Sequence, residues 1–448
     1  MNSVLGLFRL QTLIATMCLV RTFAIQNFGC RASQADGAAL ESLLAASGFE
    51  TGQNHPDFFI LNTCTVTAAA DEEVRQTVRK VHRENPNSRI VVTGCYAQRA
   101  PEEIAALPGV SMVIGNSHKT QIAGLLGDPS ADFHGEVHIG DIFAQHDFLA
   151  SPVEEAGIDR SRPNLKIQDG CNNRCSFCII PFVRGRSRSA PTQQIVEQVR
   201  NLSARYSEVV LTGINLGRWG REQGSYLRLA DLLRLLLAET DIGRLRLSSV
   251  EPMDFTDDLM QFMADSPRIA KHVHAPLQSG SDTVLRRMHR KYRPRHYEDR
   301  IWKARKWMPE AAIGADVMVG FPGETEAEFE QTRAFIERLP FTYLHIFPYS
   351  ERPGTPAAER TDQVALPVRR ARGRILRDLG LAKNAAFRRS MLGRTLPAVT
   401  LQDSTSAMTT NYLKVDLANR RLPRELIDVE IGGVSETGLR ERALFPMF

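Results

Sequence analysis

The strongest constraint on this chain is where it places its cysteines. Three apolar runs with the character of β-strands, FAIQNF (Phe23 to Phe28), DFFILNT (Asp57 to Thr63) and RIVVTG (Arg89 to Gly94), deliver Cys30, Cys64 and Cys95 just beyond their C-terminal ends. Helical patterns separate the runs, so the segment reads as an open parallel α/β sheet, whose strand ends share the edge where such proteins build ligand sites. Three thiols distant in sequence can then converge on one ion or cluster. Buried structural cysteines are the plain alternative, since free cysteine is among the most buried residue types. The repeated strand-end placement argues against it.

A second trio is local. NLKIQDG (Asn164 to Gly170) reads as a strand and turn leading into GCNNRCSFC, where Cys171, Cys175 and Cys178 have CxxxCxxC spacing. Three thiolates suit a four-iron cluster with one iron left open. A structural zinc site takes a fourth protein ligand and usually shows paired CxxC spacing, and no such Cys or His stands beside this motif. Strand-like runs follow at EVVLTG, RLRLSSV, HVHAPLQ, IGADVMVG and YLHIFPY, separated by helical patterns. They predict a partial, open parallel (β/α)6 barrel with its site at the C-terminal strand ends. In FPGETEAEF, Thr325 with Glu328 three residues later is a capping box, so a helix starts there after a glycine turn. From about Met391 the runs LPAVTLQ, TTNYLKVDL and LIDVEIGG alternate between polar turns, which predicts a small β-barrel.

The length of 448 residues allows about three domains. The divisions expected are 1–22 as an extension or misassigned start, 23–130 as the first α/β domain, 131–160 as a linker, 161–375 as the barrel and 391–448 as the small β-barrel. A 43% hydrophobic and 24% charged composition is that of a soluble globular protein. Seven cysteines are too few for a disulfide scaffold, and their uneven spacing fits a reducing, cytoplasmic compartment. Leu10 to Val20 is apolar but interrupted by Gln11, Thr12 and Thr16, too short to span a membrane and without a small-x-small cleavage site. Met17 is a second candidate start. Lys+Arg 56 against Asp+Glu 51 leaves only +5, so local clusters carry the information: Arg184, Arg186 and Arg188, and the arginines from Arg369 to Arg389. Each reads either as a solvated face or as phosphate contacts.

The residues are similar to the radical SAM (S-adenosylmethionine) superfamily, whose signature is CxxxC, one residue, an aromatic and a Cys, with Phe177 at the aromatic position. The resemblance narrows to the methylthiotransferases, which place a three-cysteine α/β domain before the radical SAM barrel and a small RNA-binding barrel, TRAM, after it. It is carried by GCRASQAD, LNTCTVT, VTGCYAQ, LKIQDGCNNRCSFCIIPFVRGRSRS, LTGINLGRWG, LSSVEPMD, PLQSGSDTVLRRMHRKY, DVMVGFPGETEAEFEQT and FPYSERPGTPAA. KIQDGC, LTGINLG, SSVEP and FPYSERPGTPA look most like the branch that acts on N6-threonylcarbamoyladenosine (t6A) of tRNA. The family usually has Asn where this chain has Ser33.

That resemblance implies thiomethylation at C2 of the modified adenosine 3′ of the anticodon. It implies two [4Fe-4S] clusters, one on Cys171, Cys175 and Cys178 and one on Cys30, Cys64 and Cys95, with two SAM molecules consumed. An aromatic C2–H bond is neither acidic nor a leaving group, so a carbon radical rather than acid/base work opens it, and no side chain is expected to act as acid or base. The resemblance places Phe177, Gly213, Glu251, Gly320 and Gly323 around SAM, with Gln278 and Ser279 as further candidates. For the glycines the plain alternative is turn formation, and for Glu251 a solvated strand-end carboxylate. The implied partners are the tRNA anticodon loop, SAM, a reductant such as flavodoxin and a sulfur source, with no membrane. Two alternatives remain: the same chemistry on isopentenyladenosine tRNA or a ribosomal protein, and a non-enzymatic RNA-binding protein with structural metal.

Overall fold

The computed structural model describes residues 21–52, 55–128, 133–145, 148–149, 161–224 and 226–443. The Leu10 to Val20 run and Met17 lie outside the described residues. Strands β1 (Thr22–Asn27), β2 (Glu50–Thr51), β3 (Phe58–Thr63), β4 (Arg89–Gly94), β5 (Val110–Gly115) and β6 (Glu136–His138) form one sheet in the order β2-β1-β3-β4-β5-β6. Every pairing in it is parallel. FFILNT and RIVVTG are buried on both faces, as continuous apolar strands in a covered parallel sheet must be. The expected linker 131–160 contributes the short edge strand β6.

The three strands that precede cysteines are immediate neighbours, β1-β3-β4. Thr63 of β3 is in register with Gly94 of β4, so Cys64 and Cys95 leave the sheet side by side. Strands in a sheet lie about 4.8 Å apart, which brings sequence-distant thiols to one edge.

The second unit contains the expected run of strands: β7 (Asn164–Asp169), β8 (Arg188–Ser189), β9 (Glu208–Gly213), β10 (Arg244–Leu247), β11 (His272–His274), β12 (Ala312–Val319) and β13 (Tyr343–Pro348). The sheets β10-β9-β7-β8 and β11-β12-β13 are joined by a parallel bridge between Leu245 and Ile269. All but the antiparallel edge strand β8 run parallel, which is the partial barrel. The capping box is as expected: Thr325 Oγ1 accepts from Glu328 N at 3.2 Å, and Glu328 Oε2 accepts from Thr325 N at 2.9 Å.

A helix, Leu366–Arg389, leads to a closed barrel of β14 (Thr395–Thr400), β15 (Ser406–Thr409), β16 (Lys414–Asp416), β17 (Leu426–Val434) and β18 (Leu439–Glu441) in the order β14-β15-β16-β18-β17. TTNYLKVDL is not one strand. β15 ends at Thr409, Tyr412 takes φ 62° and β16 begins at Lys414, because Thr409 Oγ1 accepts from Leu413 N at 2.9 Å and closes a turn. That turn is pinned to the central unit, where Arg246 donates to Thr409 O at 2.9 Å and Thr410 O at 3.1 Å.

A buried ion pair ties the first sheet to the barrel. Arg352, from the ERPGT run, reaches Asp71 Oδ2 at 2.6 Å, and Arg99 shares that carboxylate at 3.1 Å. Both Arg352 and Asp71 have side chains only 5% exposed. Asp71→Asn would strand Arg352 without a counter-charge, and removal of one partner of a buried pair costs about 3–5 kcal/mol. A lowered urea midpoint for the variant is the expected outcome; a midpoint equal to that of the unsubstituted chain would refute it.

Candidate active site

Cys30 is the N-cap residue of the helix Arg31–Ala46, Cys64 follows β3, and Cys95 opens the helix Cys95–Arg99. Gly29, at φ 88°, lets the first loop close on the second: a Cβ there would lie 2.7 Å from Cys64 Sγ. Burial, with Cys95 and Cys30 adding to it, pushes the Cys64 thiol up to about 12. In the other trio, Cys178 N donates to Cys175 O at 3.1 Å. Burial, then the neighbouring Cys175, pushes the Cys178 thiol up to about 12, and burial also raises Cys171. Such thiols stay neutral until coordination removes their protons.

The two trios are close to one another. Ile179 and Val183, just after Cys178, pack on Cys95. From the same stretch Arg184 donates from Nε to Cys95 Sγ at 3.2 Å. Asn116 Nδ2 also approaches Cys95 Sγ, at 3.6 Å. The other trio repeats the device, with Arg290 donating to Cys175 Sγ at 3.2 Å and Asn215 Nδ2 to Cys171 Sγ at 3.6 Å. Donors aimed at sulfur suit cluster-bound thiolates, whose sulfurs accept hydrogen bonds that tune potential. Among the described residues, neither trio brings its sulfurs within 4.8 Å of one another. A single tetrahedral zinc, with Zn–S near 2.3 Å, would require that. Two sets of three thiols with hydrogen-bond donors at their sulfurs are instead the donor chemistry of iron–sulfur clusters.

Both arginines are held in place by acids. Arg290 pairs with Glu251 at 2.5 Å, so Glu251, 22% exposed, is not an unpartnered carboxylate. Arg184, only 2% exposed, pairs with Asp36 and with Asp169, each at 2.9 Å. Its expected alternative role as a phosphate contact is thereby excluded by burial; of that cluster, Arg186 is the exposed one. Burial alone would raise the Asp36 carboxyl, but Lys119, Lys166 and Arg184 around it hold it well below the usual carboxylate range. In the second cluster Arg372 is likewise buried, on Glu324 at 2.9 Å, whereas Arg370, Arg374, Arg377 and Arg389 stay exposed.

A chamber of about 320 Å³ opens beside the first trio, lined by Cys30 and Arg31, by Gly213 and Ser249, and by Tyr343 and Tyr412. Arg31 also lines an outer cleft of about 800 Å³. Gly213 thus reaches the chamber. Phe177 packs half-buried against the barrel core. Gly320 and Gly323 occupy positive-φ turns, and a Cβ on either would meet Arg369 or the Asp362 carboxylate, so packing of residues 360–369 accounts for both. Ser279 Oγ bonds Thr332 Oγ1 at 3.1 Å, and Gln278 takes φ 62° with its backbone bonded to β12. Ser33 Oγ is buried without a partner, while Ser33 O accepts from Asn62 Nδ2 at 2.7 Å.

Sequence reasoning did not single out Arg290, Asp36, Asp169, Lys166, Asn116 or Asn215. All but Asn116 lie inside runs already conspicuous in the sequence, HRKY, QAD, LKIQDG and LTGIN, but their partners are fixed only by folding.

The class defined by this fold and these cysteines agrees with the comparisons. Residues 165–336 match the radical SAM superfamily and 22–115 the uncharacterized protein family UPF0004. The threonylcarbamoyladenosine tRNA methylthiotransferase MtaB of Bacillus subtilis is 41% identical over 78% of this chain and 78% of its own length. The protein of that name from Aquifex aeolicus is 35% identical over 94% of this chain and 99% of its own. A tRNA-2-methylthio-N(6)-dimethylallyladenosine synthase of Thermobifida fusca is 34% identical over 80% of this chain and 74% of its own. Among solved structures, the radical SAM methyltransferase TsrM of Kitasatospora setae superposes with TM-score 0.56 at 15% identity, over 76% of this chain and 75% of its own, a likeness of fold. The chain belongs to the radical SAM methylthiotransferase family.

Arg184→Gln removes both the charge and the fixed Nε–H beside Cys95. Loss of a partner that orients a ligand costs about 10- to 100-fold in metal affinity. Timed iron release to a chelator should quicken by that order for one cluster while the other stays unchanged; identical release from the variant and wild type would show that Arg184 serves the seam alone.

Proposed function

We propose that this chain converts t6A, 3′ of the tRNA anticodon, to its 2-methylthio derivative. The carrying observation is the chamber: Cys30 of one trio and Gly213 at the end of β9 both line it, and Arg31 lines both it and the outer cleft. The Aquifex aeolicus threonylcarbamoyladenosine tRNA methylthiotransferase, matching 94% of the chain, supports it. A volume of about 320 Å³ lies at the lower end of the about 300–1,000 Å³ usual for small-molecule sites. It suits one purine with its substituent.

In this reading Cys171, Cys175 and Cys178 hold one [4Fe-4S] cluster, and Cys30, Cys64 and Cys95 the other. The chemistry supplied when clusters and SAM are bound is reductive cleavage of SAM at the first trio and presentation of sulfur at the second. The protein's own contribution is placement and shielding. Arg290, fixed by Glu251, keeps an N–H on Cys175 Sγ, and Arg184 does the same for Cys95. Ile179 and Val183 exclude water between the trios. Phe177 and Gly213 are placed beside SAM. Gly320 and Gly323 act on SAM only through the shape of their turn.

The small C-terminal barrel and the exposed Arg370, Arg374 and Arg377 serve the tRNA backbone, whose phosphates such cations neutralise. A reductant such as flavodoxin and a sulfur source complete the turnover. No helix among the described residues is long and apolar enough to cross a membrane, and the cytoplasm, where tRNA is modified, is the proposed location.

Cys64→Ala and Cys175→Ala proteins, reconstituted without oxygen, should each keep about four irons against about eight for the unsubstituted chain. Nucleosides from a deletion strain should lack 2-methylthio-t6A and regain it with the wild-type gene. Unchanged 2-methylthio-t6A, or loss instead of the methylthio-isopentenyl nucleoside, would sink this assignment.

A further inference from the structure

The chamber holds a cation that the chemistry above does not use. Arg31 follows Cys30 directly, lines both the chamber and the outer cleft, and is half-buried. Its guanidinium donates to the Tyr412 hydroxyl at 3.0 Å, and its guanidinium carbon lies 5.8 Å from the Tyr412 ring centroid. Among the described residues no carboxylate pairs with it, in contrast to Arg184, Arg246, Arg290 and Arg352. The acid of the chamber wall, Asp316, is already engaged by His274 at 3.3 Å and His345 at 3.2 Å. A half-buried guanidinium without an anion is costly to keep unless an anion arrives with the substrate.

Tyr412 reinforces the point. It comes from the turn between β15 and β16, holds φ 62°, and stacks on His272 at 4.5 Å between centroids. A non-glycine residue held in that region is strained and persists where the surroundings enforce it, commonly at ligand sites. Here the strained residue holds Arg31 in the chamber.

Purine geometry says which anion is in reach. C2 and C6 both flank N1, so a group close to the sulfur destined for C2 is close also to whatever N6 carries. The threonylcarbamoyl group ends in a carboxylate, whereas a dimethylallyl group has no charge. We propose that Arg31, held by Tyr412, binds that carboxylate and makes the chamber selective for an anionic N6 substituent, an inference that rests on the t6A reading above.

Anticodon stem-loops carrying t6A, or its carboxylate methyl ester, test it with the full cluster-loaded chain. By fluorescence anisotropy the wild type should bind the acid about 10- to 100-fold more tightly than the ester, the range for a hydrogen bond to a charged group. Arg31→Gln should bind acid and ester alike, near the wild-type affinity for the ester, and Arg31→Lys should keep part of the discrimination. Equal wild-type affinities for the two stem-loops would overturn the proposal. So would an Arg31→Gln loss of the same factor on both, which would assign Arg31 to an RNA phosphate. Thiomethylation is scored separately by mass: a wild type that leaves the t6A stem-loop unchanged yet modifies one carrying dimethylallyladenosine sinks the substrate assignment and this inference with it, whereas turnover of t6A without acid–ester discrimination sinks this inference alone.

Discussion

Asp36 lies buried with Lys119, Lys166 and Arg184 around its carboxylate, and the seam between the first sheet and the barrel is built on that cluster. Asp169 joins it from the end of β7, through Lys166 and Arg184, both at 2.9 Å. Apolar packing tolerates small slips, but buried ions do not: a displaced Arg184 would take a cation from two buried carboxylates and a hydrogen-bond donor from the Cys95 sulfur. The relative position of the two cysteine trios follows from this, because Arg184 ends the helix that begins just after Cys178 and at the same time donates to Cys95.

The same arrangement sets the electrostatics at sulfur. Three thiolates on a cluster bring negative charge into a poorly hydrated place, and each trio has one guanidinium directed at one of its sulfurs. Those cations are in turn neutralised from behind by Asp36 and Asp169, or by Glu251, so that charge is balanced locally rather than across the fold. Arg31 departs from the pattern: among the described residues no carboxylate pairs with it, and Tyr412 presents it to the chamber.

Much of the fold was legible because parallel strands are short apolar runs with abrupt ends. The bounds read for β4 and β9 coincide with those observed, and Cys64 and Cys95 stand directly where β3 and β4 stop, with Cys30 three residues beyond β1. TTNYLKVDL misled because alternation continues through a turn of Thr, Asn and Tyr that contains neither Gly nor Pro; the break depends on a side-chain hydrogen bond at Thr409. Glycines at 320 and 323 were legible as turn formers, but not the Arg369 and Asp362 side chains that pack on them.

The sequence by itself determined which cysteines stand as candidate ligands and which elements carry them, since CxxxCxxC spacing and a strand-end cysteine are local facts. Only the tertiary structure decided who stands behind those ligands: Arg184 meets Asp36 across 148 positions, and Arg31 meets Tyr412 across 381. The physical reason is that a charge in water has no preferred partner. It acquires one only when folding removes the water and brings a distant opposite charge or donor within hydrogen-bonding reach.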